Sequence, residues 1–447
     1  MLVLRWLKRT IASKTRSSDN LVCAMDKDEV LELTRQFVAP HRVETWAAHG
    51  TQLVIGHREG YRVWDLDGRE LLDLHLNGGT YNLGHRNREL VAALSAALAD
   101  LDIGNHHFAS PARAELGREL ARLTPGDLTY SVFCASGSEA NDVAIKSARR
   151  ATGRREIVGL AAGYHGRTGL AGAAGEDTSA SYFLSDSPDF VTVPFGDLDA
   201  IERYLRGGSV AAVILETIPA TYGYPTPPPG YLSGVRALCD QYEALYIADE
   251  VQTGLGRSGT VWAVESFGIQ PDILVTGKGL SGGLYPVAAA VIGKDVSAWL
   301  HEYGWGHVST FGGSEIGCKV ALKVLEITTR DEVKDRVRQL IDRFRTELSG
   351  IREAEPYLTE VRQTGLIIGL RVDHPDGAVY LQQQLFERGV WAIASGFDQA
   401  VLQFKPGLLF EDSDVDLVLE RLADALAAAK DIDRAVPRRH GVGADRR

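Results

Sequence analysis

The chain is poor in sulfur: its 447 residues include four cysteines and two methionines. Cys23, Cys134, Cys239 and Cys318 stand far apart with no CxxC pair. That spacing excludes a disulfide-stapled fold or a zinc ribbon and predicts reduced, buried thiols of a cytoplasmic protein. No apolar run approaches the roughly 18 residues that span a bilayer, so no membrane partner is expected. Positive charge is also short, with 48 Lys+Arg against 59 Asp+Glu and a net charge of −11. This argues against nucleic acid as a partner and leaves a small anionic substrate open, because a local pocket need not follow global charge. Repeats and low-complexity tracts are missing too. His106-His107 has no carboxylate at ligand spacing, so these read as surface or turn histidines and no metal is expected.

What is present is an ordinary globular composition, 45% apolar and 24% charged, over a length that allows two or three domains. Arg5, Lys8, Arg9, Lys14 and Arg16 occur near the start without an acid among them. A targeting peptide carries such charges, but Met1–Leu4 is too short for a secretory core, so residues 1–27 read as a disordered extension. Residues 28–75 read as an N-terminal helix and short strands, with Asp67-Gly68 as a hairpin turn, and 433–447 as a flexible tail.

From Tyr130 the chain repeats strand, Gly-rich turn, helix. Strands are expected at Ser131–Cys134, Ile157–Leu160, Val210–Leu215, Leu245–Ala248 and Ile273–Val275, with helices over Glu139–Ala151 and Leu232–Tyr242. Continuous apolar strands of this kind imply a mostly parallel sheet covered on both faces, with ligands at its carboxyl edge. Glu216, Asp249 and Lys278 all fall at or just past such strand ends, which places three ionisable groups on one edge. Beyond Arg330 a charged helix, Asp331–Leu348, and strand-like pieces at Leu366–Arg371 and Val390–Ala394 suggest a smaller α+β domain, closed by a helix over Ser413–Ala429. The expected division is 76–330 for the large domain and 331–432 for the small one.

Lys278 is the focus of the chain. It follows a buried strand and lies between Gly277 and Gly279, whose missing Cβ atoms would let a flat ligand approach. A lysine so placed suits a Schiff base with a carbonyl cofactor. Two motif matches fail on context: Gly254-Leu-Gly-Arg-Ser-Gly259 does not turn directly from strand into helix, and Gly279-Leu-Ser-Gly-Gly283 precedes a β-like run where a hydrolase elbow must open a helix. Other features suit a pyridine aldehyde phosphate. Ser136, Gly137 and Ser138 precede a helix whose amides can hold phosphate, although the serines alone could be simple N-caps. Tyr164, in Gly163-Tyr-His-Gly166, can stack on a ring, and Asp249 can keep a pyridine nitrogen protonated.

Together these residues resemble the class III, or ω-type, aminotransferases of the fold-type-I pyridoxal 5'-phosphate (PLP) enzymes. The matching motifs are SGSEANDVAIKSAR at Ser136–Arg149, YHG at Tyr164–Gly166, ADEVQTGLGRSG at Ala248–Gly259, ILVTGKGLSGG at Ile273–Gly283 and STFGG at Ser309–Gly313. The resemblance implies an α/β fold with a seven-stranded, mostly parallel sheet between helices, plus a smaller α+β domain shared by the C-terminal part and the N-terminal segment. It implies that Lys278 carries PLP, that Asp249 pairs with its ring nitrogen, and that Val251 and Tyr164 cover its two faces. Gln252 would lie near the ring hydroxyl and Gly137 and Ser138 at the phosphate, with Ser136 and His165 in the same cofactor set and Glu139 and Glu216 supporting it. Thr310 would reach the phosphate of a neighbouring subunit, so a homodimer is implied. The implied reaction moves an amino group from an amine or amino acid to a keto acid or aldehyde; lyase, epimerase or decarboxylase chemistry on the same fold is the alternative.

One departure from the family pattern concerns the substrate. Relatives carry a carboxylate-gripping arginine in a segment like LRFLPPL, whereas this chain has Val401-Leu-Gln-Phe-Lys-Pro-Gly-Leu408, with Gln403 at the arginine position. A neutral amide cannot make the bidentate charge-assisted clamp. A diamine, amino alcohol, amino sugar or other terminal amine is therefore expected as donor unless Lys405 or another arginine compensates, and Tyr81, Gln403 and Lys405 are the substrate candidates.

Overall fold

The computed structural model describes residues 25–435 except 106 and 176. The basic N-terminal stretch, Cys23, His106 and residues 436–447 lie outside the described residues. Side-chain caps set most helix starts. Asn87 accepts from the amides of Glu89 and Leu90 to open Arg88–Leu98, and Ser110 opens Pro111–Leu123 with proline in the first turn. Ser136 opens Gly137–Thr152, which ends at Gly153 in the left-handed region (φ 67°). That helix begins two residues earlier than its expected start at Glu139, because the cap is Ser136.

The N-terminal segment folds two helices, Lys27–Phe37 and Pro40–Ala48, and then β1 (Ile55–Glu59), β2 (Arg62–Asp65) and β3 (Glu70–Asp73) as antiparallel neighbours. The central sheet contains β4 (Leu128–Cys134), β5 (Glu156–Leu160), β6 (Phe190–Val193), β7 (Val210–Glu216), β8 (Leu245–Asp249), β9 (Ile273–Thr276) and β10 (Ala288–Gly293). Its order is β4-β10-β9-β8-β7-β5-β6, with β10 antiparallel to both neighbours and the β9-to-β6 pairs all parallel. Every residue of β7, β9 and β10 is buried, as expected for strands covered on both faces. The seven-stranded, mostly parallel α/β fold expected from the sequence is the one observed. The short edge strand β6 carried too little pattern to be read beforehand.

The C-terminal part opens with the 24-residue helix Asp331–Ala354, which buries Val333, Val337, Leu340, Ile341, Phe344 and Leu348 at helical spacing beneath a charged outer face. Then come β11 (Leu358–Thr364), β12 (Ile367–Val372), β13 (Val390–Trp391), β14 (Ile393–Ala394) and β15 (Val401–Phe404), before the final helix Asp412–Ala435. The expected single strand at Val390–Ala394 is in fact two. β13 pairs in parallel with β3, whereas β14 pairs antiparallel with β15 in a sheet ordered β11-β12-β15-β14. The chain thus changes sheets at Ala392 and joins the N-terminal strands to the C-terminal ones. Backbone bonds tighten the join: Leu74 N–H donates to Trp391 O (2.8 Å) and Lys405 N–H to Leu74 O (2.9 Å).

Candidate active site

Strand register builds the site. Glu216 on β7 is paired with Asp249 on β8, and Asp249 with Val275 on β9. Lys278 is three residues past Val275, so the three ionisable groups converge on one edge as their strand-end positions predict. Lys278 starts a tight turn, Lys278–Ser281, at φ 41°, a left-handed conformation unusual for a residue with a side chain. Ser281 Oγ holds the turn by donating to Lys278 O (2.6 Å) and accepting from Gly283 N–H (3.0 Å).

The flanking glycines also leave room for the protein's own packing. A Cβ on Gly279 would come within 2.9 Å of Asn82 Nδ2, and one on Gly277 would meet Ala288 Cβ at 3.3 Å and Gly137 Cα at 3.5 Å. Gly78 is the tighter neighbour of the lysine itself, since a Cβ there would lie 2.8 Å from Lys278 Cε. Burial lowers the Lys278 pKa, while Asp249 and Glu216 pull it back up. The amine is therefore nearer to its nucleophilic, neutral form than a surface lysine is.

Asp249 is buried and held on both oxygens. Oδ2 accepts from Asn141 Nδ2 (2.8 Å) and lies 2.8 Å from His165 Nδ1, while Oδ1 accepts from Val251 N–H (3.0 Å). Glu216 grips the tyrosine loop: Oε1 accepts from Tyr164 N–H (3.0 Å) and Oε2 from Ala220 N–H (3.1 Å). Burial is the main cause that pushes the Glu216 pKa up, to about 7, with His165 opposing and Asp249 reinforcing the rise. Tyr164 is half-buried, with the Arg167 guanidinium 5.1 Å from its ring centroid.

At the start of Gly137–Thr152, the Ser136 hydroxyl accepts from Glu139 N–H (3.2 Å) and acts as the cap. Ser138 Oγ accepts from the amides of Arg167 (3.1 Å) and Thr168 (3.0 Å) and lies 2.6 Å from Thr168 Oγ1. These hydroxyls are thus engaged in shaping the loop, and the first-turn amides of Gly137 and Ser138 are the groups suited to phosphate. Val251 borders them, its Cγ1 only 2.8 Å from where a Gly137 Cβ would stand. Glu139 Oε2 accepts from Ala135 N–H (2.7 Å) and so steadies the turn before the helix.

The other side of the site is a polar chain from distant segments. Tyr224 Oη donates to Gln252 Oε1 (2.6 Å), with Gln403 Oε1 3.5 Å away. Gln403 Nε2 donates to Ala220 O (2.7 Å), and its Oε1 accepts from Lys405 Nζ (2.7 Å). Lys405, fully buried, also lies 3.4 Å from His75 Nδ1. Tyr81 is elsewhere in the same loop region: it stacks on His85 (centroids 3.9 Å) and abuts Gly283, where a Cβ would be 2.4 Å from its ring. Thr310 is exposed, its carbonyl accepting from Asn105 N–H (2.6 Å), so it is not part of its own chain's cluster.

Sequence reasoning missed Asn141, Tyr224 and His75. Asn141 left a usable signal, a short amide one helical turn past Gly137 on a buried face. His75 and Tyr224 left none, because their partners are far away in the chain. The rejected Gly254–Gly259 segment forms turns with Leu255, Gly256 and Gly259 at positive φ, and Arg257 within it is buried. Arg257 donates to Asn82 Oδ1, Leu366 O (3.2 Å) and Pro406 O (3.1 Å). His107 is exposed and packs edge-on to Trp305, as a surface histidine would. Cys134, Cys239 and Cys318 are free and buried.

These features fit PLP: a depressed lysine, a fixed buried carboxylate for the ring nitrogen, free first-turn amides for the phosphate, and a half-buried tyrosine beside them. Asn141 Oδ1 and His165 Nε2 are buried without a hydrogen-bond partner, which leaves polar capacity next to Asp249. Comparison with known proteins agrees. The family model described as aminotransferase class-III matches residues 45–426. An uncharacterized aminotransferase of Archaeoglobus fulgidus is 43% identical over 403 residues, covering 90% of this chain and 95% of that protein. The ornithine aminotransferase of Toxoplasma gondii aligns with a TM-score of 0.83 at 26% identity, covering 96% of this chain and 99% of that one. A second structure of that protein shows partial occupancy of PLP at its active site. The N-acetylornithine aminotransferase of Stenotrophomonas maltophilia aligns with a TM-score of 0.74 at 30% identity, covering 87% and 100% of the two chains. The strand-edge lysine, its buried aspartate and these relationships lead to one assignment: the chain belongs to the class III aminotransferases and is a PLP-dependent transaminase.

Proposed function

We propose that this transaminase takes its amino group from a primary amine that need not carry an α-carboxylate, and passes it to a keto acid. The observation that carries the reading is Gln403, whose amide is spent within the protein, donating to Ala220 O and accepting from Lys405. Arg257, the nearby guanidinium, is likewise committed to neutral oxygens. Neither of these two groups is therefore free to clamp a carboxylate bidentately.

When bound, PLP supplies an electron sink for charge leaving the substrate carbon. Lys278 would hold the cofactor and would accept and return the proton at that carbon, a role suited to its lowered basicity. Asp249 keeps the ring nitrogen protonated, and Asn141, His165 and the Val251 amide fix the orientation of its carboxylate. With PLP bound, Tyr164, held by Glu216, would cover one ring face and Val251 the other, and Gln252 would lie near the ring hydroxyl. Ser136 shapes the phosphate turn that Gly137 and Ser138 line.

The working unit in this reading is a cytoplasmic homodimer in which Thr310 completes the partner's phosphate site. The surface around Thr310 supports it: Phe108 (82% exposed), Tyr303 (67%), Val308 (61%), Trp305 (58%) and Phe311 (51%) are large apolar groups left open by one chain. No described helix is long and apolar enough to cross a membrane. A spectrophotometric screen of amines against the PLP form tests the donor class. Conversion to the pyridoxamine form by terminal amines is expected, and reaction with α-amino acids alone would overturn it. Thr310→Ala, which should weaken PLP retention without dissociating the chains, tests the shared site.

A further inference from the structure

Lys405 carries a fully buried amine with neutral hydrogen-bond partners, Gln403 Oε1 at 2.7 Å and His75 Nδ1 at 3.4 Å. Among the described residues no carboxylate lies within 4.0 Å of its Nζ. A buried charge in such a setting is costly unless something pairs with it. Its position is specific. The Lys405 amide bonds to Leu74 O, which brings its side chain beside His75, and three residues further on Gly78 lies against Lys278. One short loop therefore touches Lys405 at one end and the reactive lysine at the other. The polar chain through Gln403, Tyr224 and Gln252 makes a second connection to the same region.

A transaminase with the proposed partners faces a particular difficulty. The same site must receive a keto acid, which brings a carboxylate, and an amine, which brings none. A fixed cation such as arginine would be left buried and unpaired whenever the amine is bound, because guanidinium does not lose its proton. Lysine can. The charged and titratable groups around Lys405 bias it that way: burial first, then Arg257 and Lys278, favour the neutral amine, while Asp73 favours the ammonium. His75 is itself held neutral by burial and by Lys405 and Lys278. An incoming carboxylate would supply the counter-charge now missing.

We propose that Lys405 is the receptor for the carboxylate of the keto-acid acceptor, charged while that acid is bound and neutral while a carboxylate-free amine occupies the site. A proton enters from solvent to Lys405 Nζ as the keto acid binds and leaves again with the amino-acid product. This deepens the donor–acceptor reading above and rests on it.

The test uses PLP-loaded enzyme and its Lys405→Met variant, with pyruvate, 2-oxoglutarate and glyoxylate as acceptors and a reactive terminal amine as donor. Absorbance of the bound cofactor and the melting temperature report whether the variant is folded and loaded. For the best of the three acids, the variant should raise KM at least 30-fold. Its effect on the amine half-reaction should be at least 10-fold smaller than its effect on the acid. Calorimetry of propanoate, an unreactive carboxylate, in buffers of different ionisation enthalpy should show close to one proton taken up per site in the unaltered enzyme and none in the variant.

A KM change under 3-fold, or equal proton uptake in both proteins, would overturn the role of Lys405. Turnover with an aldehyde acceptor but with none of the three acids would overturn it as well. If Lys405→Met does not load PLP, Lys405→Arg decides: a receptor that must discharge predicts that arginine slows the amine half-reaction at least 10-fold, and an unchanged rate sinks the idea. Failure of every amine to convert the cofactor would instead count against the donor reading, which keeps the two failures separate.

Discussion

The two sides of the active site are built differently. On the cofactor side, Glu216, Asp249 and Lys278 come from adjacent parallel strands whose register aligns them. Each is held by residues close to a strand end or a helix start. On the side proposed for the substrate, His75, Tyr224, Gln403 and Lys405 come from three separated stretches and meet where the chain changes sheets at Ala392 and ties β15 to the end of β3. The first arrangement supports chemistry common to a whole family. The second can vary residue by residue without disturbing that chemistry, and here it carries the departure at Gln403.

Several substitutions would break or sharpen this contrast. Lys278→Ala should remove the proton-transferring amine and lower turnover by at least ~10⁴-fold while cofactor stays bound by its other contacts. Single-turnover absorbance with a saturating amine checks this, and retention of a tenth of the activity would place the chemistry elsewhere. Asp249→Asn should lower the half-reaction rate by about 10²–10³-fold, since it removes a fixed charge from a buried site. A loss under 10-fold would show that the ring nitrogen is governed by some other group.

Glu216 offers a test by pH. Its folded pKa, about 7, stands above the unfolded value of 4.5, so the folded state holds the proton more tightly. Its contribution to stability is fully present below pH 4.5 and fades as pH rises through 7, on the order of 3 kcal/mol in all. Urea unfolding of Glu216→Gln between pH 4.5 and 8 should lack that decline, and an unchanged slope would assign it to other groups.

Lys405→Met should do the opposite of most core substitutions and stabilise the unliganded fold by about 1–3 kcal/mol, because a buried unpaired amine gives way to an apolar side chain of similar shape. With a folded pKa well below the ordinary 10.5, Lys405 makes the unfolded state bind more protons, so stability should rise with pH toward 10.5 in the unaltered protein. The variant should lose that slope; denaturant midpoints at several pH values read both effects. The smallest change is Ser136→Ala, expected to cost about 1 kcal/mol as a lost helix cap with only modest loss of PLP affinity. A large loss of affinity with unchanged stability would make the hydroxyl a direct phosphate ligand.

Much of the cofactor side was legible beforehand because local rules write it. A buried strand must end before a charge, so Asp249 and Lys278 announced themselves by position. A serine ahead of a helix announced a cap, and Ser136 is one. Where the reading of these residues changed, the cause was a contact no local rule contains. Gly277 and Gly279 also leave room for Gly137, Ala288 and Asn82, and Glu216 binds two backbone amides. Ser138 is occupied by the Arg167 and Thr168 amides, and Tyr81 packs on Gly283. Asn141 was within reach of the same rules, whereas His75 and Tyr224 were not.

The order of strands and helices, the parallel sheet and the residues at its carboxyl edge follow from apolar periodicity and turn chemistry, which act over a few residues and are written in the chain. The surroundings of Lys405 follow from no such pattern. Phe-Lys-Pro reads as the end of a strand, and nothing in it says whether the amine meets water, an acid or a neutral imidazole. That was decided when β13 and β14 entered different sheets and drew His75 against Lys405. The charge on a side chain depends on the groups that folding brings around it, and of those around Lys405 only Gln403 is close in sequence, whereas Asp73, His75, Arg257 and Lys278 belong to distant segments.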